Sequence, residues 1–206
     1  MRRPRAMDQA QFRSLTHQAR DRRARAADRD LFLFYFLAKT GGRTSECLAV
    51  KVRDVVLEHS PPFVRMATLK QKSKAGTWRD VYLEDKMAKR VRRWIKFGLP
   101  RCLGRPPRPD DPLIPGAFGM YEPGHMTARN ARRIFKLYKG RAQLEGVSVH
   151  SLRHYRGTQL YDRTKDLAFT REQLGHSRLE STQIYLHHSP ARVGQLLQDL
   201  EDELED

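Results

Sequence analysis

Residues 31–38 read Leu31-Phe-Leu-Phe-Tyr-Phe-Leu-Ala38 and run directly into Lys39-Thr-Gly-Gly-Arg43-Thr-Ser-Glu46. Eight successive apolar residues leave no polar face, and Gly41-Gly42 just beyond Lys39 supplies a stop. That pattern predicts a helix buried on every side. It is the longest apolar run, and it falls well short of the about 18 residues that a membrane span needs. A second helix is expected over residues 43–50, and it opens on an arginine. Free N–H groups and the helix dipole at such a position favour an anion. Glu46, three residues on, can brace the Arg43 guanidinium or cap the helix.

The chain around this stretch is strongly basic. Its 206 residues suit one domain or two small ones, and with 39% apolar and 31% charged residues the balance is globular. Forty Lys and Arg face 24 Asp and Glu, a net charge of +16. Six of those acids lie in the last eight residues, so only 18 oppose the forty cations over residues 1–198, a surplus of +22. Such an excess on a folded domain points to a polyanion as partner, although composition alone does not separate that from solubility. The N-terminus lacks the apolar core of a secretory signal, and four Asp within residues 8–30 argue against a transit peptide. Cys47 and Cys102 cannot build a disulfide scaffold or a Cys-rich zinc site. A reducing, cytoplasmic compartment follows.

Residues 1–29 hold nine Arg and no Lys, with no sustained apolar stripe. They read as a basic arm leading into a short helix around 8–20, or as a solvated leader. After residue 50 the period changes to two, and 55–57, 63–69 and 80–83 are expected to be short strands. A Lys-rich turn, Lys70-Gln-Lys72-Ser-Lys74-Ala-Gly76, joins the last pair. Residues 85–97 return to helical spacing. The stretch 98–125 carries seven of the eleven prolines and five of the thirteen glycines, which predicts a long functional loop. Helices are expected over 127–142, 150–163, 167–175, 179–188 and 190–200. The last has Val193, Leu196, Leu197 and Leu200 on one face, ahead of the acidic tail. The fold class is therefore α+β, mainly helical, with a small three-stranded antiparallel sheet.

Two further polar clusters join Arg43 and Glu46. In His150-Ser-Leu-Arg153-His154, His150 and Arg153 share a helical face and could reach one phosphate. His150 and His154 have the spacing of a zinc-protease pair, but Ser151 stands where the catalytic Glu belongs, so no metal is expected. Leu174-Gly-His176 is followed nine residues later by Tyr185, between Ile184 and Leu186. A tyrosine in that setting is usually core.

Taken in order, these clusters resemble the catalytic domain of the tyrosine recombinases, or phage-integrase family. That family's boxes are a T-G-x-R-x-S-E run, a hairpin lysine, H-x-x-R-H, L-G-H, and a tyrosine nine residues later. Here they read Thr40-Gly-Gly-Arg43-Thr-Ser-Glu46, Ser73-Lys74-Ala-Gly76, His150-Ser-Leu-Arg153-His154, Leu174-Gly175-His176 and Tyr185. The resemblance covers about residues 8–190. It implies the tyrosine recombinase catalytic-domain fold and a site-specific recombinase that cuts and rejoins DNA through a 3′-phosphotyrosyl bond. The catalytic set it implies is Arg43, Lys74, His150, Arg153, His176 and Tyr185, with Glu46 and His154 in support. Lys72 is the alternative to Lys74. Lys70, Lys72, Arg79, Arg132 and Arg133 are expected to bind DNA.

The chemistry of these residue types agrees. Attack on a phosphodiester builds charge on the non-bridging oxygens, and two arginine forks can bind them bidentately. An imidazole titrates near neutral pH and free tyrosine at about 10, which makes His150 the better base. With the arginines supplying charge, no metal or other cofactor is called for. The expected partners are double-stranded DNA and, on paired sites, three further copies in a homo-tetramer. Without DNA a monomer or weak dimer is expected, in the cytoplasm with the nucleoid and away from membranes.

The expected organisation is a basic arm (1–29), a catalytic domain (30–190), and a C-terminal helix with its acidic tail (191–206). Two departures from the family stand out. Too few residues precede the buried helix for the usual core-binding domain, which suggests a stand-alone enzyme similar to the fimbrial invertases or a truncated chain. Gly42 also replaces the usual apolar residue before the first arginine, and it is expected to be tolerated. A tyrosine-type topoisomerase, a telomere resolvase and a non-catalytic DNA-binding protein of the same fold are the alternative readings.

Overall fold

The computed structural model describes residues 7–20, 25–68, 78–116 and 124–175. The expected helices over 179–188 and 190–200 lie outside the described residues. So do Lys70, Lys72, Lys74, His176, Tyr185 and the acidic tail.

Helix α2 (Arg25–Thr40) is the central strut. Phe32, Leu33, Phe34, Phe36, Leu37 and Ala38 are all buried, as the unbroken apolar run requires. Trp94 stacks on Phe32 with ring centroids 4.7 Å apart. Phe34 meets Phe135 and Tyr138 edge-on at 6.0 and 5.4 Å. The helix begins six residues earlier than its apolar run suggests, because Arg29 and Asp30 are buried as an ion pair at 2.9 Å. Tyr138 Oη donates to Asp30 Oδ2, and Arg29 Nη1 donates to the Gly116 carbonyl at 3.2 Å. A paired, hydrogen-bonded charge can remain inside where an isolated one could not.

Helix α1 (Gln9–Arg20) matches the short helix expected around 8–20, but it packs into the core rather than standing off as a basic arm or leader. Phe12, Leu15, Thr16 and Ala19 recur at i, i+3, i+4 and i+7 and are buried against the core, as is Met7. The stripe escapes a hydropathy reading because two of its members are Thr and Ala. The Thr16 hydroxyl is satisfied by the Phe12 carbonyl at 2.9 Å. The basic residues lie on the other faces, and Arg20 donates to the Tyr35 hydroxyl at 3.1 Å. The 29/30 division thus falls inside α2, and residues 7–20 belong to the same core.

After α3 (Thr44–Ala49) come three antiparallel strands, β1 (Val55–Val56), β2 (Phe63–Ala67) and β3 (Trp78–Tyr82), in the order β1-β2-β3. Val64 pairs with both Val55 and Val81, and Met66 with Arg79. Arg65 and Asp80, directly opposite, form a two-point ion pair at 2.9 and 3.1 Å. Helix α4 (Asp85–Arg93) continues through a π-helical turn (Trp94–Gly98) into α5 (Leu99–Leu103). The expected loop therefore begins six residues late, after Leu103. Pro100 is accommodated in the first turn of α5, where its missing N–H is not needed. Helices α6 (Ala128–Arg141), α7 (Ser151–Thr164) and α8 (Leu167–Leu174) follow close to expectation. No helix among the described residues is long and apolar enough to cross a membrane.

Phe34, fully buried between α2 and α6, tests the strut. Phe34→Ala is expected to lower unfolding free energy by about 3–5 kcal/mol in urea titrations. Phe97→Ser, at a half-exposed position, should stay within about 0.5 kcal/mol of the parent.

Candidate active site

The site begins where α2 stops. Gly41 takes φ +64°, and its N–H still reaches the Leu37 carbonyl at 3.1 Å. A Cβ there would lie 2.6 Å from Leu174 Cδ2, so glycine alone allows α8 to close over this turn. The Gly41 carbonyl, turned inward, accepts from Arg153 Nη1 at 2.8 Å, and Arg153 is almost wholly buried.

Arg43 is the N-cap of α3, and Glu46 folds back on it. Glu46 Oε2 accepts from the Arg43 backbone N–H at 3.1 Å, and Oε1 from Arg43 Nη1 at 2.6 Å. Glu46 is 0% exposed, so its polar atoms rely on protein partners rather than water. The second partner is Arg79, whose Nη2 donates to Glu46 Oε2 at 3.2 Å. Expected at the DNA, Arg79 instead points inward from β3, because the buried carboxylate requires a second cation. Its Nη1 donates to the Gln173 carbonyl at 2.8 Å, which ties β3 to α8.

His150 caps α7 and is exposed, with Arg153 one turn further in. His154 lies beneath it, its ring 4.7 Å from the His150 ring and edge-on. Burial, followed by the neighbouring His150 and Arg153, pushes the His154 imidazole down to about 4. It is therefore neutral at physiological pH. Burial likewise raises the Cys47 thiol to about 11, which makes it an inert core group rather than a nucleophile.

Between α3, α6 and the turn before α7 lies a cavity of about 690 Å³. Arg43, Arg132, Lys136, Lys139 and His150 line it, over an apolar floor that includes Phe135 and Val149. Arg43, His150 and Arg132 are thus brought together at one opening. Arg153, Glu46 and Arg79 stand behind it, joined through Gly41 and Arg43. Arg133 is not among the lining residues; its Nε donates to Asn130 Oδ1 at 3.2 Å on exposed α6 surface. Lys136 and Lys139 escaped the sequence reading, although they follow Arg132 at i+4 and i+7 on one helical face.

A second support was also missed. Glu84 bridges Arg156 Nη1 at 2.5 Å and Lys39 Nζ at 3.2 Å, joining the end of α2 to the body of α7 under the Gly41 turn. Burial alone would raise this carboxyl, but the two cations outweigh it and hold it below its usual value.

Residues 5–192 match the family model described as the phage integrase family. The chain belongs to the phage integrase family. It is similar to the tyrosine recombinase XerC of Corynebacterium efficiens, at 32% identity over 165 residues, covering 80% of this chain and 48% of that protein. XerC of Bacillus subtilis is likewise 32% identical over 165 residues, covering 80% and 51%. The chain spans about half the length of these curated relatives. Among solved structures, XerH site-specific recombinase in a post-cleavage complex with its palindromic difH substrate superposes with a TM-score of 0.73 at 23% identity. It covers 96% of this chain and 54% of its own. The catalytic domain of bacteriophage HP1 integrase gives a TM-score of 0.60 at 16% identity, covering 95% of each chain. At these identities the structural likeness shows the fold.

In this integrase-family chain Gly42 fits its surroundings closely. A Cβ would stand 2.6 Å from Cys47 Sγ and 3.0 Å from Met66 Sδ, so a larger residue here would have to displace these sulfurs.

The neutral state of His154 has a consequence for stability. Its folded value of about 4 lies below the ordinary 6.5, so between those values the unfolded chain binds a proton that the folded one refuses. Stability contributed by this group is present above pH 6.5 and lost as pH falls toward 4. Urea midpoints at pH 7 and 4.5 should converge more closely for His154→Gln than for the parent. An equal pH dependence in both proteins would remove His154 as the cause.

Proposed function

We propose that this chain is the catalytic part of a site-specific DNA recombinase that cuts and rejoins DNA through a 3′-phosphotyrosyl intermediate. The observation that carries the reading is the fixed pair of arginines. Arg43, braced by the buried Glu46, lines the cationic cavity, and Arg153 is held just behind by the Gly41 carbonyl. Guanidiniums preorganised in this way stabilise charge as it develops on the non-bridging oxygens of a scissile phosphate. Exposed His150 at the cavity edge is placed to take part in proton transfer.

The remaining steps fall to residues carried over from the family boxes. The Tyr185 oxygen bonds to phosphorus while the bond to the 5′ oxygen breaks. His150 receives the tyrosine proton, Lys74 supplies one to the leaving oxygen, and His176 adds a hydrogen bond to the phosphate. The reverse attack by a 5′ hydroxyl rejoins the strand without ATP or metal. Arg132 and Arg133 on α6, with Lys70 and Lys72 in the hairpin turn, grip the backbone of double-stranded DNA. Assembly as a tetramer on paired sites and a cytoplasmic, nucleoid-associated location belong to the same reading. Two buried free cysteines suit that reducing compartment.

The deciding experiment traps the intermediate. A nicked duplex from which the cleaved end diffuses away should leave a covalent protein–DNA adduct, seen as a slow band in denaturing gels. Tyr185→Phe should retain DNA binding and form no adduct. Adduct persisting in that variant would assign the nucleophile elsewhere, and no adduct from the parent on any cognate site would sink the reading.

The α6 arginines give a separate test. Alanine at Arg132 or Arg133 should lower the slope of log affinity against log salt by about 0.9 for each phosphate that is no longer neutralised. An unchanged slope in both variants would take α6 off the DNA.

A further inference from the structure

We propose that Arg79 is the positioning residue that clamps the two halves of the site together, holding the 173–175 backbone against the Arg43 brace; this rests on the reading of the site as a DNA-cutting centre. The register of the sheet sets its direction. Arg79 pairs with fully buried Met66, and along β3 it shares the inward face with buried Val81, while Trp78 and Tyr82 stay exposed. A DNA-gripping arginine would project on the other face.

The guanidinium is committed at two points. Nη2 donates to Glu46 Oε2 at 3.2 Å and Nη1 to the Gln173 carbonyl at 2.8 Å. These partners are distant in sequence and belong to different boxes. Glu46 braces Arg43, while Gln173 precedes Leu174-Gly175-His176. Gly175 closes the arrangement from above. It has φ +66°, and a Cβ on it would lie 2.5 Å from Arg79 Nε. The backbone therefore rests on the guanidinium, and the next residue in the chain is His176.

Nε itself is buried and has no hydrogen-bond partner among the described residues. Native folds seldom leave a buried donor unpaired, and one that persists marks a position held by something other than stability. Here the close approach of Gly175 covers the Nε edge. Arg79 is also the first inward-facing residue of β3, five residues after Lys74 in the sequence. One planar fork thus refers the LGH segment and the strand that follows Lys74 to the same carboxylate that orients Arg43. Only an arginine can do this, because its donors are fixed in a plane and reach two acceptors at once.

The test compares Arg79→Gln and Arg79→Lys with the parent, all as the full chain. On saturating nicked duplex, Arg79→Gln should form adduct about 100-fold more slowly in a single turnover, as expected of a misplaced reacting group. Its DNA affinity and salt slope should match the parent's. Amide exchange at Leu174 and Gly175 should quicken by about tenfold while that in α6 is unchanged. Arg79→Lys should restore the melting temperature and leave adduct formation slow, because a point charge neutralises Glu46 without spanning to Gln173.

Three results would overturn the proposal. The first is weaker DNA binding and a shallower salt slope in Arg79→Gln with normal cleavage at saturation, which would make Arg79 a phosphate contact. The second is full recovery of cleavage in Arg79→Lys, which would reduce the role to charge balance. The third is unaltered exchange at 174–175 in Arg79→Gln. Failure of the parent itself to form adduct would sink the functional reading instead, and the exchange comparison would still judge the clamp.

Discussion

A carboxylate with no access to water organises this protein around itself. Glu46 is sealed inside the fold, where an unpaired carboxylate would be strongly destabilising. Two guanidiniums prevent that, one from its own helix and one from β3. Each brings further structure with it. Arg43 fixes the start of α3 at the mouth of the cationic cavity, and Arg79 fixes the sheet and the end of α8. Removing the carboxylate would leave both arginines without their common reference, so the geometry of the opening depends on an acid that itself faces away from it.

That acid can be buried because α2 provides a floor. Its apolar surface is covered on all sides, and its end is shaped by Gly41, which turns one carbonyl inward to hold Arg153 and leaves space for Leu174 above. Beneath the same turn, Glu84 joins Lys39 and Arg156. Arg156 Cγ would stand 2.9 Å from a Cβ at residue 41. The turn after the strut is therefore enclosed by α7 and α8, and both boxes that follow in the sequence are docked on it. The packing of one helix end and the placement of two arginines are a single constraint.

The sequence made the outline legible because its signals were local. An eight-residue apolar run, a period-two region and the glycine stop place α2, the sheet and Gly41 without reference to anything distant. Helix α1 was expected around 8–20, but its burial was hidden because Thr16 and Ala19 complete the buried stripe, and neither is marked by hydropathy. Helix α5 was hidden because Gly98 and Pro100 read as breakers, while a π-helical turn brought the proline into a first turn that tolerates it. Arg79 is the instructive failure. Its strand was expected to begin at residue 80, and a start at Trp78 would have put Arg79 on the Val81 face by simple alternation. What no local pattern carries is the pairing of that arginine with Glu46, which is a tertiary fact.

The site also divides its chemistry by residue type in a way that its burial explains. Arginine remains charged at any working pH, so the field at the cavity is fixed by Arg43 and Arg153 and cannot be titrated away. Histidine in the same field behaves in the opposite sense. Burial and the adjacent cation hold His154 neutral down to about 4, which keeps a second positive charge from forming under His150. Were His154 to charge as readily as a free imidazole, it would repel a proton arriving on the ring above it, 4.7 Å away. Keeping the lower ring neutral leaves a constant background beneath the exposed upper ring. In the proposed reading, where arginine neutralises a phosphate and imidazole moves protons, that separation is imposed by packing.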